Sequence, residues 1–231
     1  MVILNHIIRY INLDPNSNEV IRKSFYSSLV KFAGMIMALL VSIFLARALG
    51  VESLGLINLA NRIIGILVVF GLLGTRNIII RRIAINIKNE DDKKIGDTIY
   101  TAYWLNGLFT IAISIVLIIS SKWISTYLFS TPELRIPLVI LLLGLTPQVF
   151  SLIYSSALVG HKRIWQSNLF EQTLSIILVA IILLVLQLIE FNINVFIVAV
   201  TYTSVRILVT IIAATYWHRI FKLRKAWNCH Y

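Results

Sequence analysis

Six segments of this chain are each long and apolar enough to cross a lipid bilayer: approximately residues 24–46, 56–80, 99–120, 134–159, 168–189 and 192–217. A bilayer's hydrocarbon core is about 30 Å thick and an α-helix rises about 1.5 Å per residue, so about 20 apolar residues span it. Backbone in lipid must satisfy its own hydrogen bonds, which makes runs of this length helices rather than strands. The sequence therefore predicts an all-α, polytopic membrane protein with six transmembrane helices. Between them lie RALGVESLG, RRIAINIKNEDDKKIGD, SKWISTYLFSTP, GHKRIWQ and a tight EFN corner, each with turn or charge signals. Residues 1–23 read as an N-terminal segment, 24–217 as the transmembrane lobe and 218–231 as a basic tail. Composition agrees: 58% of residues are hydrophobic and 13% charged, against about 45–50% and 25% in soluble domains.

The net charge of +11 would suggest nucleic acid in a soluble chain. Here its placement decides otherwise. Alternate loops on one side carry Arg9, Arg22 and Lys23, then Arg81, Arg82, Lys88, Lys93 and Lys94, then Lys162 and Arg163, then Arg219, Lys222, Arg224 and Lys225. The opposite side has only Arg47, Lys122 and Arg135. By the positive-inside rule both termini are expected in the cytoplasm, and no nucleic-acid partner is needed to account for the charge. Trp123 at the outer boundary and Trp104, Trp165 and Trp217 near the inner one suit interfacial anchoring. The start MVILNHIIRYINLD lacks the basic n-region and small-residue cleavage site of a secretory signal; it could lie on the membrane surface. Cys229, the single cysteine, allows no intrachain disulfide.

Four cations fall inside the spans: Lys31, Arg62, Arg76 and Arg206. An Arg or Lys at the centre of a span costs about 2.5–3.5 kcal/mol on insertion scales, so each needs an escape to the headgroups or an interior partner. Arg76 lies close to a basic loop and is expected to snorkel. Lys31 is about 10 Å into the first span, where its stem still has a route to the headgroups. Arg62 is at similar depth from the other side, with Asn58 one turn before it on the same face. Arg206 is far from both ends of its span. Tyr202, Thr203 and Thr210 share its helical face, a polar stripe expected to face the bundle interior or a wet cavity. Interhelical hydrogen bonding is the structural alternative. Glu171 would be a counter-ion for Arg206 only if the helices carried it deep. Gly144, Pro147 and Gln148 in the fourth span predict a kink that frees backbone carbonyls, as transport paths and purely structural bends both do.

No catalytic constellation is present. His6, His161, His218 and His230 lack metal-ligand spacing. The acidic run at 89–92 sits beside Lys93 and Lys94, and reads as a solvated loop leading into a helix N-terminus rather than a metal site. There is no phosphate loop. The residues predict a conduit rather than an enzyme, with no metal and no cofactor.

The run FLARALGVESLGLINLANRIIGILVVFGLLGTRNIIIRRIA, residues 44–84, resembles the polysaccharide-export flippases, the O-antigen and lipid-linked oligosaccharide translocases of the multidrug/oligosaccharidyl-lipid/polysaccharide exporter superfamily. Leu45, Ala46, Arg47, Leu49, Gly50, Gly55, Arg81, Arg82 and Ala84 match that family's first hairpin. The run SALVGHKRIWQSNLFEQTLSIILVAI, residues 156–181, is similar to its loop between the fourth and fifth spans. The resemblance implies one six-helix lobe of a two-lobe transporter, with a central cationic cavity for an anionic, prenyl-pyrophosphate-linked oligosaccharide. It implies a bacterial cytoplasmic (inner) membrane and a role in surface polysaccharide or O-antigen synthesis. Arg206, Arg62, Lys31, Gln148 and Tyr202 are the candidate substrate-path residues, by charge and location rather than by a fixed motif. The sequence ends after six spans, so a half-length form is expected, needing a second six-helix lobe or another copy of itself. A non-transporting remnant, a drug or cation antiporter of the same superfamily, and a membrane enzyme such as a polymerase or glycosyltransferase of the same pathway are the alternatives; the antiporter would need embedded carboxylates and the enzyme a sizeable outer loop bearing acids or histidines.

Overall fold

A computed structural model of the chain describes the backbone of residues 15–228 and the side chains of residues 24–221. The N-terminal apolar stretch, Cys229, His6, His230 and the side chains of Arg9, Arg22, Lys23, Lys222, Arg224 and Lys225 lie outside these limits. Among the described residues there is no strand, as lipid-exposed backbone requires. The helices are α1 (Pro15–Leu49), α2 (Val51–Gly71), α3 (Thr75–Lys88), α4 (Asp92–Trp123), α5 (Arg135–Leu143), α6 (Leu145–Gly160), α7 (Ile164–Asn168), α8 (Leu174–Leu188) and α9 (Val195–Asn228). Five segments are long and apolar enough to cross a membrane. The α5–α6 pair, bent by 41°, makes a sixth when taken as one broken span. Exposed Leu29, Phe32, Met35 and Leu39 on α1, with Leu105, Leu108, Ile115 and Ile119 on α4, give the bundle its apolar outer face.

The corners between successive spans gather at two ends. At one end Glu52 of the α1–α2 corner, Glu133 before α5 and Asn194 before α9 line a common depression. At the other, the basic segments meet. Gly160 lies against Ile80 and Ile83 of α3. The His161 ring is 6.2 Å from Trp217, and the Arg163 guanidinium donates to the Tyr216 hydroxyl at 3.1 Å. Asp91 caps α4 by accepting from the Lys94 backbone N–H and from its ammonium, which holds the Asp91 carboxyl below the usual carboxylate range. The acidic run is thus a helix N-terminus, and no group of three metal-ligating side chains occurs among the described residues.

One expected boundary is corrected. The second span was predicted over 56–80, but α2 stops at Gly71. Leu73 (φ 46°) and Gly74 (φ 69°) then take left-handed conformations, and both the backbone and the hydroxyl of Thr75 donate to the Leu72 carbonyl. The chain then continues not as loop but as α3, which buries Thr75, Ile79 and Ile83 one turn apart. Apolar residues on both sides, Leu72 and Leu73 before it and Ile78 to Ile80 after it, hide such a break from hydropathy averaging, while the four-residue spacing carries it. The segments expected as the first and third spans lie within the longer helices α1 and α4.

Helix α6 is the axle, buried nearly all round and touching α3, α4, α7 and α9. Small residues allow this closeness: Gly71 faces Thr110 and Val149, and Gly107 faces the Phe150 ring. Hydroxyls tie the helices where carbonyls are free. The Gly144 N–H bonds to Leu141 rather than to Ile140, and Thr203 of α9 donates to the Ile140 carbonyl at 2.9 Å. Replacing Thr203 by valine is expected to lower stability in detergent by about 1 kcal/mol, read as a fall in thermal midpoint, because that carbonyl loses its replacement donor in a dry bundle.

Candidate functional site

Arg206 stands near the middle of the apolar part of α9, Val195–Phe221, and reaches the break between α5 and α6. A Cβ on Gly144 would lie 3.1 Å from its Cδ and 3.5 Å from its Nη1, so the glycine is what admits the side chain. Its Nη2 donates to the Asn61 Oδ1 at 2.9 Å. Its Nη1 is buried with no hydrogen-bond partner, and no carboxylate pairs with it among the described residues. One turn on, Thr210 donates to the Pro147 carbonyl at 2.6 Å, fastening α9 to the other side of the bend. The predicted kink is therefore present, and the predicted polar stripe of α9 faces it.

Beside Arg206 lies a cavity of about 620 Å³ walled by α1, α2, α6, the segment between α7 and α8, α8 itself and α9. Four of the five candidate residues line it: Arg206, Arg62, Gln148 and Tyr202. Asn58, Asn61, Gln172, Ser42 and Ser175 add amides and hydroxyls. Arg62 is exposed and has neither a hydrogen bond nor an ion pair among the described residues. The Gln148 side-chain oxygen, like Arg206 Nη1, is buried without a partner. Lys31 is not brought to the cavity. It is exposed on α1, two turns before the first lining residue, Ala38.

One carboxylate, Glu171, lines the cavity, and it is already engaged. It sits in a π-helical turn, Leu169–Thr173, closed by a bond from the Leu174 N–H to the Leu169 carbonyl. Both its oxygens are held by Arg76 of α3: Nη1 to Oε1 at 2.8 Å and Nη2 to Oε2 at 2.9 Å. The expectation that Arg76 snorkels away is replaced by this pair, and Glu171 is not the counter-ion of Arg206. The turn is anchored from other sides too. Ser151 donates to the Phe170 carbonyl, Thr173 to the Val30 carbonyl, and the Asn168 amide to the Ser27 hydroxyl.

The model of the family described as "Polysaccharide biosynthesis protein" matches residues 20–229. The chain belongs to this family. No curated protein and no solved structure matches it significantly. In this polysaccharide biosynthesis protein, sequence reasoning found the cations but missed Asn61 and the pairing of Arg76. Asn61 carries a weak signal, since Asn58 and Asn61 are amides at helical spacing on the face that bears Arg62. The Arg76 pairing has no local signal, because its partner is 95 residues away in the chain. Chemically, two cations without carboxylate partners, among amides and hydroxyls, make a surface that favours anions and sugar-like hydroxyls.

Proposed function

We propose that this protein is a flippase, moving a prenyl-pyrophosphate-linked oligosaccharide across the bacterial cytoplasmic membrane for surface polysaccharide synthesis, O-antigen or a similar glycan. One observation carries the reading: Arg62 and Arg206 line one cavity without a carboxylate partner, while the cavity's carboxylate is committed to Arg76. An uncompensated guanidinium within a span is costly unless an anion serves it, and guanidinium forks match phosphate oxygens bidentately. The amides and hydroxyls of Asn58, Gln148, Gln172 and Tyr202 suit the glycan attached to the phosphates. The charge bias of the basic end supports a cytoplasmic side for it, with both termini there. A second six-helix lobe, or another copy of this chain, would close the cavity during alternating access. The family supports a polysaccharide-related role. A cation antiporter is disfavoured because Glu171 is occupied.

The test is the intact gene in its own host, carrying Arg62→Ala and Arg206→Ala together. Surface polysaccharide is expected to disappear while its lipid-linked precursor accumulates on the cytoplasmic side. Normal surface polysaccharide in a strain that makes wild-type levels of the variant would refute the reading.

A further inference from the structure

The Arg76–Glu171 pair sits where the cavity meets the basic end. Glu171 is the cavity's own wall, whereas Arg76 is absent from the lining and belongs to the first turn of α3, whose next turn carries Arg81 and Arg82. Their side chains are 38% and 25% exposed, so the pair is reachable rather than sealed. Each partner is carried by an irregular segment. Arg76 comes just after the left-handed turn at Leu73 and Gly74, and Glu171 lies in the π-helical turn. Such turns interrupt regular helix hydrogen bonding and often occur at functional sites.

We infer that Arg76 is a phosphate site held by an internal stand-in: a lipid-borne pyrophosphate arriving from the basic end displaces Glu171 from the Arg76 fork before moving to Arg62 and Arg206. The inference rests on the flippase reading and deepens it. Both Glu171 oxygens occupy the fork at 2.8 and 2.9 Å, the two-point geometry that a phosphate also presents. One bidentate anion replaces another, so Arg76 is never left unpaired in a partly buried place. The released carboxylate faces a cavity whose cations, Arg62 and Arg206, have no carboxylate of their own. Glu171 thereby keeps stray anions off the Arg76 fork and leaves only when a ligand can take its place.

The experiment measures binding to the full chain in nanodiscs, with inorganic pyrophosphate and farnesyl pyrophosphate as probes. Glu171→Gln removes the competing charge and is expected to tighten farnesyl pyrophosphate about three- to tenfold, since a binding-competent Arg76 becomes the major state. Adding Arg76→Ala should erase that gain. In the wild type, carbodiimide labelling of Glu171 should rise when farnesyl pyrophosphate is added, a readout that needs no variant to fold. Unchanged Glu171 labelling, or an affinity unmoved by Glu171→Gln, would overturn the exchange. Equal binding of the two probes would overturn the lipid-borne form of it. Arg206→Ala separates the two levels of inference. If it weakens binding while Glu171→Gln does nothing, the exchange fails and the cavity reading stands; if neither substitution matters, both fail.

Discussion

On the flippase proposal, replacing Arg206 by methionine is expected to cut polysaccharide export about a hundredfold and, at the same time, to raise the protein's thermal midpoint. The two effects have one cause. The guanidinium is charged, lies midway along a span, has one nitrogen on Asn61 at 2.9 Å and another buried without a partner. Placing such a group there costs about 2.5–3.5 kcal/mol on insertion scales. Replacing a buried ion pair by apolar residues of similar size is often neutral or stabilising by about 1–4 kcal/mol, and a lone guanidinium carries the desolvation cost without a partner's attraction. Methionine can take the same path past Gly144 because its unbranched chain adapts to irregular gaps. Against this, the Asn61 oxygen loses its donor, a loss of about 1–3 kcal/mol where the acceptor is left dry. Asn61 lines the cavity, so water can replace that donor, and the net expectation is a gain of about 1 kcal/mol. Transport should fall because charge-assisted bonds to phosphate are worth about 1.5–3 kcal/mol each, or tenfold and more in binding. Thermal unfolding in detergent and quantified surface polysaccharide check the two halves separately. A variant that is less stable than wild type would mean that Arg206 is structural glue. A stable variant with full export would mean that the cation has no substrate to meet.

The same residue shows how far the sequence could be read. A charge too deep to snorkel, on a face shared with Tyr202, Thr203 and Thr210, implied an interior or cavity position without knowledge of any neighbour, and the glycine before Pro147 implied the bend that it reaches. These are local inferences, resting on helical spacing and the cost of burying polar groups. Five apolar helices long enough to span, and the bent pair that makes a sixth when taken as one, were legible from the length of the apolar runs. What failed was non-local or hidden by averaging. Glu171 and Arg76 are 95 positions apart, and nothing in either one's neighbourhood names the other. Lys31 satisfied the same depth argument as Arg62, yet it lies outside the cavity wall that Arg62 joins. Depth along a helix is readable from sequence, whereas position around the bundle depends on which helices pack side by side. The π-helical turn that presents Glu171 inserts one extra residue into a helix, which no hydropathy pattern at helical spacing reveals.

Replacing Gly160 by valine should be the most damaging single change to the bundle, with a loss of about 3 kcal/mol and little protein recovered from membranes. A Cβ there would lie 2.9 Å from the Ile80 carbonyl oxygen and 2.9 Å from the Ile83 Cβ. Neither atom can swing aside, since one is helical backbone and the other is fixed to it. At Gly71, by comparison, the nearest atoms are methyls of Thr110 and Val149, which rotamer changes can move. Overpacking a close-packed contact typically costs about 1–3 kcal/mol, and a rigid obstacle belongs at the upper end. Gly96→Ala is the control. Nothing lies within 4 Å of a Cβ at that position in α4, and alanine is expected to stabilise the helix by about 0.5–1 kcal/mol. The site should register the difference as well. Because α3 carries Arg76, pushing it off α6 separates Arg76 from Glu171, so any Gly160→Val protein that survives should show Glu171 open to carbodiimide without ligand. If the variant kept wild-type stability and a protected Glu171, α3 could not be resting on α6, and the wall between the cavity and the basic end would have to be built differently.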